Sequence, residues 1–228
     1  SSTNKLVEQQ CDVGTYCLSG VARDCPTGKY QDQAGQAYCK PLAPCAPGKF
    51  DPTFGADITD SRCTDCPGGY FRLGTNESVC RRCLTGNYQN NDGSSECLTC
   101  VPGRDQGAQA QISCSVCGVG SVTDTLSAAG ATVCTECIAG KFSQQPTTRC
   151  VDCDAGQYGD TDGASSVNDC TECSQGRYVT VTGSDGADDC VQCDVGSVVK
   201  NHSGVVVSAG GVVCVACAAG LYSLDSHV

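Results

Sequence analysis

The sequence predicts an elongated rod of small, disulfide-closed β-hairpin loops, with almost no α-helix and no conventional hydrophobic core. Three observations lead there. Leu, Ile, Val and Phe make up only 40 of 228 residues, Met and Trp are absent, and the net charge is −11, a composition too poor in large apolar groups to fold by burial alone. The 23 Cys offer the substitute, because short covalent loops remove entropy from the unfolded chain where burial cannot stabilise the folded one. The Cys also recur in a phrase, Cys-x-x-Gly-x-aromatic, and self-similarity at a short period marks a repeat architecture.

Taken in order, residues 1–10 hold no Cys and form an N-terminal arm. Residues 11–44 are irregular cysteine-rich repeats: CDVGTYC closes in a few residues, and the Pro of PLAPCAPGKFDP break the pattern. Residues 45–216 form the regular array, and residues 217–228 read as the start of a further repeat, cut short. Across the chain twelve repeat starts place Gly three residues after Cys. An aromatic follows that Gly by two in nine of them: Tyr16, Tyr30, Phe50, Phe71, Tyr88, Phe142, Tyr158, Tyr178 and Tyr222. Val122 and Val198 take the position in two repeats and Asp105 in one. Only Tyr38, Phe54 and Tyr70 among the aromatics fall elsewhere, so the nine are expected to cover disulfides in place of a core.

Between each aromatic and the next Cys lie turn formers such as LGTNES, QNNDGSSE and GDTDGASS, which read as hairpin tips between short extended segments. Each repeat's first Cys is therefore paired with the next Cys in sequence. The pairs are Cys11 with Cys17, Cys25 with Cys39, Cys45 with Cys63, Cys66 with Cys80, Cys83 with Cys97, Cys100 with Cys114, Cys117 with Cys134, Cys137 with Cys150, Cys153 with Cys170, Cys173 with Cys190, and Cys193 with Cys214. Among Cys11, Cys17, Cys25 and Cys39 the choice stays open, since Cys11 to Cys25 offers the same gap as Cys66 to Cys80. Cys217 is left unpaired and opens a repeat that the sequence does not close, so a longer parent polypeptide is expected. Only two residues separate consecutive loops, which forces each repeat onto its neighbour and predicts a rod with local contacts.

The phrases CPTGKYQDQAGQAYC, CLTGNYQNNDGSSECLTC and CDAGQYGDTDGASSVNDCTEC resemble the cysteine-rich repeat of ephrin-receptor-type ectodomains and, more distantly, the first module of tumour-necrosis-factor-receptor repeats. The resemblance covers residues 11 to 222. It implies extracellular, disulfide-bonded, elongated modules that space or present other domains. Long uninterrupted arrays of this sort are also similar to surface proteins of protists and algae, including ciliate surface antigens and flagellar-hair (mastigoneme) proteins. Asp105, Val122 and Val198 depart from the pattern and mark repeats that bend the rod or face a partner.

Other readings are weaker. The CxxC pairs have a formal zinc-ribbon spacing, but such ribbons pair two CxxC per ion and do not account for the Gly-x-aromatic phrase. A redox CxxC needs a βαβ context that is missing here. His202 and His227, the only histidines, lie in polar or terminal stretches without the Cys, Ser or carboxylate context that nucleophilic or metal catalysis requires, so no enzyme, metal or cofactor is expected. Asp160-Thr161-Asp162-Gly163 and Asp185 to Asp189 read as turns rather than calcium loops, because neither ends in the required Glu. Asn76-Glu77-Ser78 and Asn201-His202-Ser203 are glycosylation acceptors at loop tips. Val205–Val207 and Val212-Val213 read as two strands of one hairpin or as an edge for another chain. The acidic balance without basic clusters argues against nucleic acid and anionic membrane, and no apolar run is long enough to span a bilayer. The expected role is structural, in an extracellular coat, appendage or fibre at the cell surface whose partners are other chains of the assembly. A ligand-binding or stalk ectodomain of a surface receptor, or a surface antigen, is the alternative.

Overall fold

A computed structural model describes residues 8–52, 63–75 and 79–221. Among these residues the regular structure is short antiparallel strand pairs and two single-turn 3-10 helices, with no α-helix. Every sheet has two strands. Eleven disulfides join cysteines adjacent in sequence, from Cys11–Cys17 to Cys193–Cys214. Their Cα–Cα distances of 5.5 to 5.9 Å lie in the ordinary range for a bridged pair.

Two compact units result. The first comprises Ser1–Leu98 with Ala108–Ser113, and the second Thr99–Gly107 with Cys114–Val228. Within the first, Thr15–Leu18 pairs with Val21–Asp24 across a turn whose central residues, Ser19 and Gly20, both have positive φ. That is the backbone a two-residue hairpin loop requires. Further on, Lys29–Tyr30 pairs with Lys40–Pro41, Lys49–Phe50 with Thr64–Asp65, and Tyr70–Phe71 with Arg81–Arg82. The second unit repeats this unit of construction. Its hairpins include Lys141–Phe142 with Val151–Asp152, Gln157–Tyr158 with Thr171–Glu172, and Arg177–Tyr178 with Val191–Gln192.

Strands of two residues bury little, so the hairpins are held by disulfides inside and by backbone hydrogen bonds between repeats. The repeats opened by Cys137 and Cys153 show the pattern. Gly140 N–H donates to Gly159 O (2.8 Å), Ser143 N–H to Ala164 O (3.0 Å), and Gly163 N–H to Cys137 O (2.7 Å). The next pair repeats it with Gly156 on Val179, Gly159 on Ser184, and Gly183 on Cys153. The first unit uses the same scheme, with Gly69 N–H on Gln89 O, Arg72 N–H on Ser94 O, and Gly93 N–H on Cys66 O.

Contact also reaches the second neighbour. A Cβ placed on Gly120 would lie 2.0 Å from Gly163 O, two repeats on. Gly120 is thus required twice, by its φ of +78° and by the carbonyl against its Cα. Contacts stay local along the chain but reach one repeat further than the immediate neighbour, since the loop that carries Gly163 extends over Gly120.

The two valine runs do not pair with each other. Val213 is paired with Lys200 in the hairpin of Ser197–Lys200 and Val213–Ala216. Val207 N–H donates to Val199 O on the other side (3.1 Å), and Lys200 bridges Val206. Ser197–Lys200 therefore lies between both runs, because Asn201 to Gly204 turns the chain straight back.

Candidate functional site

The face where one repeat meets the next is the most organised part of the molecule. Its first component is the Cys that opens each repeat: Cys66, Cys83, Cys100 and Cys173 are wholly buried. The aromatic positions come next. Tyr30 is buried, whereas Tyr16, Phe50, Phe71, Tyr88, Phe142, Tyr158 and Tyr178 are half-buried, and Tyr222 lies outside the described residues, as does Phe54. Tyr158 packs on the cluster of Cys173, Val179 and Cys190 in the following repeat, so the ring covers its neighbour's disulfide. Near the Tyr30 ring lies the Lys40 ammonium, 5.8 Å from the centroid. Its salt bridge to Asp32 (2.6 Å) lowers the Asp32 pKa and raises that of Lys40.

After the opening cysteines, the most enclosed side chains in seven repeats lie one residue past the aromatic position, where sequence reasoning placed no site residue. Gln31, Arg72, Gln89, Thr123, Ser143, Val179 and Val199 all sit there, and none is more than 5% exposed. Alternation along a strand puts this residue on the opposite face from the aromatic, and the recurring Tyr-Gln of residues 30–31 and 88–89 was the available signal. Each polar occupant satisfies backbone groups. Gln31 Nε2 donates to Tyr38 O (2.6 Å) and its Oε1 accepts from Gln33 N–H; Gln89 makes the same two bonds to Glu96 O and Asn91 N–H. Thr123 Oγ1 donates to Leu126 O or Pro146 O. Arg72 Nη1 donates to the carbonyls of Cys45, Ala46 and Lys49, and Nη2 to that of Thr75. At Cys45 the guanidinium thus takes the carbonyl that a loop N–H takes at Cys66 and Cys137.

The acidic loops turn inward to backbone amides. Asp162 Oδ1 accepts from Ala139 N–H of the preceding repeat (2.8 Å), as Asp92 Oδ1 does from Gly68 N–H (2.8 Å). Asp189 Oδ2 accepts from Asp185 N–H (3.0 Å). Asp169 closes the capping box of the 3-10 turn Val167–Asp169, and the amides of Ser165 and Ser166 that donate to it hold its carboxyl below the ordinary range. Asp124 is lowered likewise, first by the Thr132 hydroxyl that donates to it (2.7 Å).

Among the described residues, one group brings three potential metal donors together: Asp105, Cys117 and Cys134. Cys117 and Cys134 are bonded to each other, so the oxidised chain presents no thiolate pair there. Cys217 is a free thiol of intermediate burial, and its N–H donates to Gly196 O (2.9 Å). Asn201 sits at a hairpin tip, where its Oδ1 accepts from Ser203 and Val205 N–H; Asn76 lies outside the described residues. A shallow groove of about 410 Å³ runs beside Phe142, Val151 and Val167, rimmed by Gln145, Thr148 and Arg149. No helix among the described residues is long and apolar enough to cross a membrane.

Residues 140–190 match the family model described as tyrosine-protein kinase ephrin type A/B receptor-like. No curated protein matches the sequence significantly. The matched stretch contains the Gly-x-aromatic phrase, the repeat-to-repeat hydrogen bonds and the disulfides Cys153–Cys170 and Cys173–Cys190. On that match residues 140–190 carry ephrin-receptor-like repeat sequence, and the run of sequential disulfides around it makes the chain a cysteine-rich repeat array of extracellular type.

Proposed function

We propose that this chain is a structural segment of a cell-surface coat, appendage or fibre, non-enzymatic, and assembled with other chains outside the cell. The supporting observation is the interlock itself. Backbone amides and carbonyls fasten each repeat to the next, as Gly140, Ser143 and Gly163 do, and an element that carries tension needs this continuity. Disulfides protect it further by limiting how far any loop can open.

Negative-stain imaging of the native material, with an antibody to this chain, tests the reading. Labelled filaments or a labelled surface layer are expected, and labelled single strings without any assembly would overturn it. In this reading Asn201 and Asn76 carry N-linked sugar, which peptide mass spectra before and after enzymatic deglycosylation would reveal; bare asparagine at both positions refutes that part.

The family match favours a second reading, the stalk or ligand-binding ectodomain of a surface receptor. It predicts a membrane-spanning helix encoded in the same gene and a soluble partner retained on a column of this chain.

A further inference from the structure

The position two residues after a repeat's Gly faces the next repeat's disulfide, and its occupant changes along the chain. In one repeat it is Tyr158, packed on Cys173 and Cys190. In the repeat opened by Cys100 it is Asp105, whose Oδ1 stands 3.0 Å from Sγ of Cys134. The Cys117 sulfur is also within 4.8 Å of that carboxylate. Because Cys117 and Cys134 are joined, neither sulfur has a proton to donate: the contact is a carboxylate resting against a disulfide. Asp105 is held there from both sides, paired with Ser115 in its own hairpin and bridged to Ala131 of the next repeat. Cys117 is 4% exposed and Cys134 half-buried, so the Cys134 sulfur is the one a thiol from solvent reaches.

We propose that Asp105 is an electrostatic gate on the Cys117–Cys134 bridge, turning anionic thiols away and admitting cationic ones. In the exchange, the incoming thiolate forms a bond to Cys134 Sγ, the Cys117–Cys134 bond breaks, and Cys117 leaves as a thiolate that takes a proton from water. A second thiolate then attacks the reagent sulfur of the mixed disulfide, releasing the Cys134 thiolate and forming the reagent's disulfide. The protein bridge gains two electrons and two thiol molecules lose one each. The Asp105 charge lies beside the attacked sulfur in the first step, so the tail charge of the attacking thiol alters the rate there. Phe71 holds that position in the repeat before Cys83–Cys97, and Cys97 is half-buried as Cys134 is, so that bridge serves as the reference in the same molecule.

The test exposes the oxidised full chain to 2-mercaptoethanesulfonate or to cysteamine, quenches by alkylation and maps each bridge by mass spectrometry. The preference for cysteamine at Cys117–Cys134, divided by that at Cys83–Cys97, is expected to be about tenfold at low salt. It should shrink toward unity at about 0.5 M salt as screening shortens the reach of the charge. Asp105→Asn should abolish the preference and Asp105→Glu retain it. Equal preference at the two bridges in the unmodified chain overturns the gate, as does a preference that Asp105→Asn leaves unchanged. If the Asn variant does not fold, the salt series on the unmodified chain decides, and a preference indifferent to salt refutes the proposal.

Discussion

Gly120 and Gly163 are the two sides of one contact, and substituting each in turn separates backbone strain from steric exclusion. Both have positive φ, +78° and +72°, so Ala at either position costs roughly 1–2 kcal/mol for a left-handed backbone. They differ in what the new methyl meets. At Gly163 the nearest atom is a carboxyl carbon of Glu136 at 3.8 Å, an ordinary contact, whereas at Gly120 the methyl would fall 2.0 Å from Gly163 O. A retreat of about 1 Å is needed even to reach the shortest tolerated Cβ contact, near 3.0 Å. Gly120 cannot retreat freely, because its N–H donates to Ser143 O and its carbonyl accepts from Cys137 N–H, both at 2.8 Å. Each such bond is worth about 1 kcal/mol net, and more if a partner is left buried and unpaired. Gly120→Ala should therefore cost roughly 3–5 kcal/mol locally. Native-state amide exchange of the oxidised protein reads this directly at Cys137 N–H. Protection should fall by about two to three and a half orders of magnitude for Gly120→Ala and by about tenfold for Gly163→Ala, since roughly 1.4 kcal/mol is a factor of ten. Equal losses for the two variants would refute the steric argument and leave only strain.

Three further outcomes are expected. Ala110 has φ +57° at the loop position whose N–H donates to the preceding opener Cys83 (2.9 Å), a place held by glycine at Gly93 and Gly163. Ala110→Gly should stabilise the oxidised first unit by about 0.5–1 kcal/mol, less than the full strain because glycine gains freedom when unfolded, measurable as increased exchange protection at Ala110. Arg72→Met keeps the volume of the side chain but strips donors from the carbonyls of Cys45, Ala46, Lys49 and Thr75; a loss of roughly 3–5 kcal/mol is expected by chemical denaturation with disulfides intact, and a change under 1 kcal/mol would refute the role. The Asp169 carboxyl has a folded-state pKa below its ordinary 3.8, so its stabilisation of the turn is complete above that value and is lost as pH falls through the lower folded one. Amide resonances of Ser165 and Ser166 should accordingly shift together below about pH 4, and Asp169→Asn should remove that shared titration.

Much of the fold was legible because cysteine spacing and glycine placement are strong constraints. Two-residue joints between loops leave little choice but hairpin against hairpin, and Cys-x-x-Gly-x-aromatic marks where each hairpin begins. The candidate site was less legible. The enclosed position after the aromatic carries Gln31, Arg72, Thr123, Ser143 or Val179, a set with no shared chemistry. Its walls are backbone carbonyls and amides, which an amide, a guanidinium or a hydroxyl can each satisfy and a valine can fill without satisfying, so no single residue type was demanded.

By itself the sequence determined the class of fold, an extracellular array of hairpins that depends on disulfides, because its composition excludes a core and its cysteines recur with one phrase. The tertiary structure alone decided how far each loop reaches and what it touches. Gly163 O comes to rest on Gly120 two repeats away, Asp105 comes to lie against Cys134 in the next repeat, and Arg72 reaches Cys45 in the repeat before it. Those meetings depend on the curl of loops of unequal length, which one-dimensional spacing does not encode.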